Sequence, residues 1–546
     1  MRRIFTNSQD SILSAVSIIS VTYILSYALS FIKQRFLISA YGVDIGVDSN
    51  TSLLGLFFLA DKIPSLIFNS LVAGSLSVAL IPVFTKKIAA GGEKEAWELA
   101  SKVLNITLGA FAVISLFVFV FTRQLASVLA LSSNPDPVLL NLIRIMMLSQ
   151  FVLIISIFET SALQSLKRFF APSLAPVVYN VGIIVFVALF AKRWGIYAPA
   201  WGMLFGAFLH FAIQFPVLKK LNFFYRLNFS FDEGARNVFL TALPRTFGII
   251  ADQIAMVVDT SLAFFIAPSA TAILVLTSSL QKLPSAVIGS SLAQVLLPKF
   301  SYLSQHDRGE FLALVRSSCI KALYFILPAS VVLLVLRIPI VRLVYGVSGF
   351  SWDATIASSY TLAFFSFSIF AQSLIYILVR AFYAENDTKT PFRAGLISIL
   401  VNIVLSAGFV LTGHFGVWSL GLSYSFGVIT NLVILERFFK SKIGNLLTED
   451  FLEQASKISW ASFILGVCLY IPLKFLDNYI FDTSRTLYLL LLTLVVSTIG
   501  VVSYYRISVL LKIRDTAFFR ARLLEVARKF QRVILEWRFP APSQEG

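Results

Sequence analysis

The chain has 546 residues, 58% of them hydrophobic and only 13% charged, with a mean hydropathy of +0.84. A soluble chain carries about 25% charged residues, so a soluble globular protein is excluded and a polytopic membrane protein is expected. The formal net charge of +17 does not point to nucleic acid, because the basic residues sit mostly in short loops and the tail, as the positive-inside rule requires.

The first apolar run follows Arg2 and Arg3 and extends from Ser11 to Ile32. That is long for the core of a signal peptide and right for a spanning helix, so it reads as an uncleaved first helix. Thirteen further apolar runs follow, at about 52–84, 102–122, 138–165, 173–191, 197–218, 237–266, 270–298, 314–335, 356–384, 392–412, 415–438, 457–475 and 484–510. The fold class expected is all-α, with about fourteen transmembrane helices. Pro64, Pro244 and Pro284 are natural kink points, since each lacks a backbone donor and clashes with the preceding turn. Cys319 and Cys468 lie in separate apolar runs, and His210, His306 and His414 are scattered. This pattern gives neither a disulfide framework nor metal-ligand spacing. The sequence has no G-x-x-x-x-G-K-[ST] loop and no convincing Ser/His/Asp arrangement, so the expectation is a non-enzyme without a metal or organic cofactor.

Lys and Arg concentrate in alternate loops: Lys86, Lys87 and Lys94; Lys167 and Arg168; Lys219, Lys220, Arg226 and Arg236; Lys299 and Arg308; Lys389 and Arg393; Arg437, Lys440 and Lys442. Both termini are therefore expected in the cytoplasm. The polar stretch near 221–236 divides six helices from eight. Lys62-Ile63-Pro64-Ser65 is echoed by Lys282-Leu283-Pro284-Ser285, and Arg168 to Pro172 by Asp387 to Pro391. These echoes predict two parallel repeats, 1–220 and 237–440, joined by a linker at 221–236, with two added helices in 441–510. A substrate site near the midplane is the usual companion of such repeats. The tail, 511–546, alternates basic residues with Phe519, Leu523, Val526, Phe530 and Trp537 at helical spacing. It reads as a basic amphipathic helix on the anionic inner leaflet.

A charge inside a membrane is costly and usually faces a cavity or a partner. The ionisable residues within the runs include Lys33, Arg35, Asp61, Lys62, Arg144, Glu159, Arg245, Asp252, Asp259, Lys282 and Arg380. Arg144 and Arg380 lie near helix ends and can snorkel; Lys33 and Arg35 have the same alternative. Bases outnumber acids among Lys33, Arg35, Lys62, Arg245 and Lys282 and their neighbours. A cationic cavity of this kind suits a phosphate or pyrophosphate, the competing reading being mutual neutralisation across helix contacts. Asp259 and Asn402 are candidates for a Na⁺ or proton coupling site. The plainer reading of Asn402 is an interhelical hydrogen bond.

One run carries a specific likeness. Arg380-Ala381-Phe382-Tyr383-Ala384-Glu385-Asn386-Asp387-Thr388-Lys389-Thr390-Pro391 resembles the R-A-F-Y-A-x-x-D-T-x-T-P motif of the MurJ (MviN) lipid II flippases. These belong to the multidrug/oligosaccharidyl-lipid/polysaccharide exporter superfamily. Arg168 to Pro176 with Asn180, Leu283-Pro284 with Ser291 to Pro298, and Lys62 to Leu66 with Gly74 resemble further family runs in family order. The resemblance implies two six-helix lobes facing each other in a V, plus two C-terminal helices forming a lipid-facing groove. It implies alternating access for lipid II, the undecaprenyl-pyrophosphate carrier of the peptidoglycan precursor, in the bacterial inner membrane. Membrane lipids and the peptidoglycan synthesis machinery are the partners it implies.

The chain also departs from the family. The family's Arg-Asp pair in the first helix is Lys33-Gln34 here, and an earlier Arg is Tyr27. The twin Arg of the second helix becomes Phe68-Asn69, where Asn69 keeps a donor. A Glu becomes Ala73, and an Asp-Arg becomes Ser278-Ser279. The expected substrate set is then Lys33, Arg35, Lys62, Asn69, Arg245 and Lys282. Flipping of another polyprenyl-linked glycan, drug/cation antiport, and a non-transporting scaffold are the alternatives.

Overall fold

A computed structural model describes residues 12–44, 52–90, 92–221 and 223–516. Regular structure among them is helical, apart from an isolated bridge between Val43 and Phe350. The amphipathic tail predicted over 511–546 lies outside the described residues from 517 onward.

In chain order the first helices are α1 (Ile12–Tyr41), α2 (Leu53–Ala60), α3 (Lys62–Phe68), α4 (Ser77–Ala89), α5 (Glu93–Val120) and α6 (Thr122–Ala130). Next come α7 (Pro137–Ser165), α8 (Phe170–Trp194), α9 (Tyr197–Lys220), α10 (Glu233–Ile266), α11 (Pro268–Pro284) and α12 (Ser291–His306). The last are α13 (Arg308–Val335), α14 (Arg337–Tyr345), α15 (Trp352–Ala384), α16 (Lys389–Ala407), α17 (Trp418–Lys442), α18 (Glu449–Tyr479) and α19 (Thr486–Leu510). Thirteen described stretches are long and apolar enough to cross a membrane. They coincide with the second to fourteenth predicted runs, and the first run falls on α1, 30 residues long. The all-α polytopic class follows.

Helix starts obey local chemistry. Asp136 accepts from Val138 N at 2.8 Å, just before Pro137, and Asp307 accepts from Glu310 N at 2.9 Å. Each satisfies a backbone donor that the first turn leaves open. Lys192 and Arg193 end α8, and Lys219 and Lys220 end α9, where positive charge suits the helix dipole.

The two predicted repeats share a local grammar. Pro64 cannot donate to the carbonyl of Ala60, so the helix breaks at Asp61 and continues as α3. A π-helical stretch, Asn69–Leu76, follows. Pro284 is likewise followed by a π-helical stretch, Ser285–Ser290. Then come α5 and α6, of 28 and 9 residues, matched later by α13 and α14, also 28 and 9. The turn before α8 has Lys167 at φ 57°, with Arg168 N donating to Leu163 O at 2.8 Å. The turn before α16 has Asn386 at φ 58°, with Asp387 N donating to Phe382 O at 2.9 Å. Both are left-handed helix ends of the same type.

The chain divides into two compact units. The first takes Met1–Leu280, Val341–Phe364 and Gly395–Gly427; the second takes Gln281–Ile340, Phe365–Ala394 and Val428–Gly546. Within the first, α8 packs closely on α9, α9 on α7, and α1 on α8. Gly182 and Gly206 make the α8–α9 approach: a Cβ on Gly206 would lie 2.6 Å from Tyr179 O, and one on Gly182 2.8 Å from the Gly206 Cα. Small residues at such crossings let helix backbones meet in a bilayer.

The stretch 221–236, expected as a linker between lobes, lies in this first unit and is fastened to α5. Asn105 Nδ2 donates to the carbonyls of Arg226 and Asn228, each at 3.0 Å, and Tyr225 OH donates to Asn105 Oδ1 at 2.6 Å. Lys102 pairs with Asp232 at 2.6 Å, and Asp232 caps α10 through Ala235 N. The bond from Lys102, with that from Ala235 N, holds the Asp232 carboxyl below the usual carboxylate range.

Within the second unit, α18 packs on α19 and on α13. Tyr504 OH donates to Tyr324 O at 2.7 Å, tying α19 to α13.

Candidate functional site: a polar cavity among apolar helices

The first unit holds a partly open cavity of about 350 Å³. Three features of the sequence place polar groups on it. The break at Pro64 turns Asp61, Ser65 and Asn69 toward it. From the interior of the apolar α7 comes Gln150, and α1 supplies Lys33. Gln34 from α1, Tyr179 from α8 and His210 from α9 complete the polar lining, with α8 and α9 held by the close Gly182–Gly206 crossing. Leu37, Phe57, Leu153 and Ile183 are among the apolar walls.

Lys33 Nζ donates to Asn180 Oδ1 at 2.9 Å, and Asn180 Nδ2 donates to Pro176 O at 3.1 Å. Pro176 is thus braced by Asn180, and Asn180 presents its oxygen to the lysine. Asp61 Oδ2 accepts from Ser65 Oγ at 2.9 Å. Gln34 Nε2 donates to Ser279 Oγ at 3.3 Å, and Tyr345 OH lies 2.9 Å from both Gln34 Oε1 and Leu276 O. Behind the lining, His210 Nδ1 sits 2.6 Å from Ser156 Oγ. Gln214 Nε2 donates to Ser156 Oγ at 2.9 Å, and Thr160 Oγ1 to Gln214 Oε1 at 2.8 Å. This network locks α7 to α9, and a satisfied polar network of this kind rigidifies the wall.

Of the predicted substrate residues, Lys33 and Asn69 line this cavity; Asn69 Nδ2 also reaches Gln253 Oε1 at 3.5 Å. Arg35, two residues beyond Lys33, points elsewhere on α1 and donates to Leu343 O at 2.9 Å. Lys62 is only 5% exposed and is not part of the lining. Adjacent helical residues point about 100° apart, so the cavity receives Asp61 instead. Lys282 is exposed and belongs to the second unit. Arg245 lies in α10, with its side chain outside the described part. The expected substrate set thus lacks Gln34, Ser65, Gln150, Tyr179 and His210, and it lacks Asp61, which the sequence offered only as one of the intramembrane ionisable residues. The one signal for Gln150 was an amide inside an apolar run.

A second polar cluster, also in the first unit, joins α10 to α16. Asn402 Nδ2 donates to Asp259 Oδ2 and Ser406 Oγ to Asp259 Oδ1, both at 2.8 Å. The sequence paired Asp259 with Asn402 but not with Ser406, which lies one turn further along the same face. Asn402 is 5% exposed, and its Oδ1 is buried without a hydrogen-bond donor among the described residues. Carboxylate and amide oxygens fit a small hard cation or a proton. A π-helical stretch, Gly408–Thr412, begins just beyond. Among the described residues no group of three His, Cys, Asp or Glu is placed to hold a metal ion.

The family model described as "Lipid II flippase MurJ" matches residues 49–491. The chain belongs to the lipid II flippase MurJ family. The probable lipid II flippase MurJ of Thermotoga maritima is 28% identical over 477 residues, covering 85% of this chain and 91% of that one. The lipid II flippase MurJ of Burkholderia cenocepacia is 25% identical, covering 76% and 80%. A solved lipid II flippase MurJ in an inward closed conformation superposes with a TM-score of 0.75 at 23% identity, covering 94% of this chain and all of that one. A multidrug resistance MATE family transporter of the MOP superfamily gives 0.63 at 14% identity over 79% of this chain.

The run that resembles the MurJ motif most closely, Arg380 to Pro391, proves to be a fastening. Asp387 accepts from Thr390 N at 2.9 Å and Thr390 Oγ1 at 2.6 Å, and pairs with Lys442 Nζ at 2.7 Å. Arg308 Nη2 in turn donates to the carbonyls of Lys442 and Ile443, each at 2.9 Å. The start of α16, the end of α17 and the start of α13 are thereby tied together at the ends of the spans. Partial burial raises the Asp387 carboxyl, but the bonds from Lys442 and Thr390 outweigh it and hold it down to about 2.

Proposed function

We propose that this chain is a transporter that flips lipid II across the bacterial cytoplasmic membrane by alternating access. The family match over 49–491 carries this reading, and the membership of its curated relatives supports it. The polar cavity among apolar helices supplies what a flippase needs locally. Its Lys33 offers a charge to a phosphate-bearing headgroup, while the polyprenyl chain stays in the lipid. Lys33 can act through Coulomb attraction and a single hydrogen bond, without the fork of an arginine.

Asp259, Asn402 and Ser406 would bind the coupling cation, Na⁺ or a proton. Their four oxygens gather on two helices of one unit, and the donor-free Asn402 Oδ1 is the observation that favours a bound cation. The excess of Lys and Arg in alternate loops supports a topology with both termini in the cytoplasm. The division into repeats, 1–220 and 237–440, is the frame within which access would alternate.

Complementation tests the function. A cell depleted of its own lipid II flippase is expected to keep growing when it expresses this chain. Lysis despite normal membrane insertion would contradict the reading, and would favour another glycan-lipid or a non-transporting role.

A further inference from the structure

Among the described residues, Lys33 is the one lysine or arginine on the lining of the first-unit cavity. A lysine ammonium rides on a flexible four-carbon stem, so a partner must set its position. The backbone beneath it is held first. Gln34, the next residue of α1, donates to Ser279 Oγ at 3.3 Å, and its Oε1 lies 2.9 Å from Tyr345 OH. Arg35 donates to Leu343 O at 2.9 Å. These bonds fix the turn of α1 from which Lys33 projects. They leave the ammonium itself to Asn180, whose Oδ1 accepts from Nζ at 2.9 Å.

Asn180 is 7% exposed and is not part of the lining, whereas Pro176, Tyr179 and Ile183 of the same helix are. Both ends of its amide are used. Nδ2 donates to Pro176 O at 3.1 Å, one turn back along α8, and Oδ1 faces the lysine. This orientation is forced, because a lysine only donates and a carbonyl only accepts; a flipped amide would meet both with the wrong end. The link joins α8 to α1, two helices that pack closely. Its chemistry matters as much as its place. A neutral amide takes one of the ammonium's three donors and leaves the charge and the other two donors for a ligand. A carboxylate at the same place would cancel the charge. The acid that does line the cavity, Asp61, accepts from Ser65 and not from Lys33.

From this arrangement we infer that Asn180 is a positioning residue for transport: it holds the Lys33 ammonium in the cavity wall and leaves its charge free for the phosphate-bearing headgroup. The inference rests on the lipid II reading and adds to it a residue that acts on the cargo only through Lys33.

The test is a double-mutant cycle on the full chain in proteoliposomes, read as the flipping rate of fluorescent lipid II, with thermal melts of each purified variant. Asn180→Leu roughly keeps the volume but removes the acceptor, so the cargo itself must order the lysine. It is expected to slow flipping by about three- to tenfold. In a Lys33→Ala chain the same change is expected to alter the rate by less than about twofold, since nothing is left to position. Asn180→Asp is isosteric and still accepts from Lys33, so a residue that merely clamps α8 to α1 would tolerate it. The inference predicts otherwise: a melting temperature near that of the wild type, with flipping slowed about as far as by Lys33→Ala. Wild-type flipping in folded Asn180→Asp overturns the inference. So does a loss in Asn180→Leu that is equally large with and without Lys33, which would make Asn180 structural. If Asn180→Asp fails to fold, the cycle with Asn180→Leu decides alone. Both of those contrary results leave the lipid II reading standing. No flipping by folded wild-type protein, or wild-type flipping in Lys33→Ala, overturns that reading and the inference with it.

Discussion

At the scale of single residues, charge count and charge placement diverge. Lys62 stood in the sequence as a base in the middle of an apolar helix, yet its neighbour Asp61 is the one that meets the cavity. Spacing could not decide between them, because adjacent residues on a helix point in different directions and only tertiary packing chooses which faces in. Asp259 and Asn402 were legible because each is a polar residue in an apolar run; the third member, Ser406, looked too ordinary to notice. Replacing Asp259 by Asn removes the charge from that cluster. It is expected to abolish any dependence of flipping on Na⁺ or on a pH gradient, measured by varying each across proteoliposome membranes. A retained dependence would exclude this cluster as the coupling site. Asp387 allows a prediction on pH. Its carboxyl is held at about 2, below the ordinary 3.8. The stability it contributes is therefore fully present above about 3.8 and is lost as pH falls through about 2. Asp387→Asn is expected to cost up to about 1 kcal/mol near neutral pH, the loss of a partly exposed ion pair, since asparagine keeps the helix-start bond. That cost should vanish in detergent melts taken near the acid limit.

At the scale of elements, the fold was readable and its fastenings were not. Apolar length gave the spans, and Pro64 and Pro284 marked the interruptions; both are followed by π-helical stretches that no pattern of hydropathy encodes. The motif Arg380 to Pro391 was legible as a signature, but its physical work, tying α16 to α17, depends on Lys442 from far along the chain. Asn105 was invisible for the same reason: its partners are carbonyls more than a hundred residues away. Asn105→Leu leaves those carbonyls and Tyr225 OH without a partner. It is expected to cost about 1–3 kcal/mol in thermal melts of the purified protein. The helix crossing at Gly206 is a sharper test of geometry. In Gly206→Ala the new Cβ falls 2.6 Å from Tyr179 O, so α8 and α9 must part. Both melting temperature and transport should drop together. An unaffected melt would mean that the crossing is looser than described.

At the scale of the whole molecule, composition excluded soluble classes and the order of motifs led to the family, which the match over 49–491 establishes. The sequence led to the expectation of a cavity crowded with bases. Of the six residues expected to meet the substrate, the first-unit cavity gathers Lys33 and Asn69 and adds Asp61, Gln150 and His210. The reason is physical. Long basic side chains turn toward whatever partner lies nearest, as Arg35 does toward Leu343 O, and sequence carries no record of that choice. The central claim, that this chain moves a phosphate-bearing lipid past a cavity where Lys33 supplies the positive charge, is tested most directly by translocation of fluorescent lipid II in proteoliposomes. The account predicts that the wild-type chain brings the label to the far leaflet, and that Lys33→Ala slows this by about tenfold or more, the loss of one buried charge-assisted contact. A folded wild-type chain that leaves the label on its original side, or a Lys33→Ala chain that flips at the wild-type rate, would contradict it.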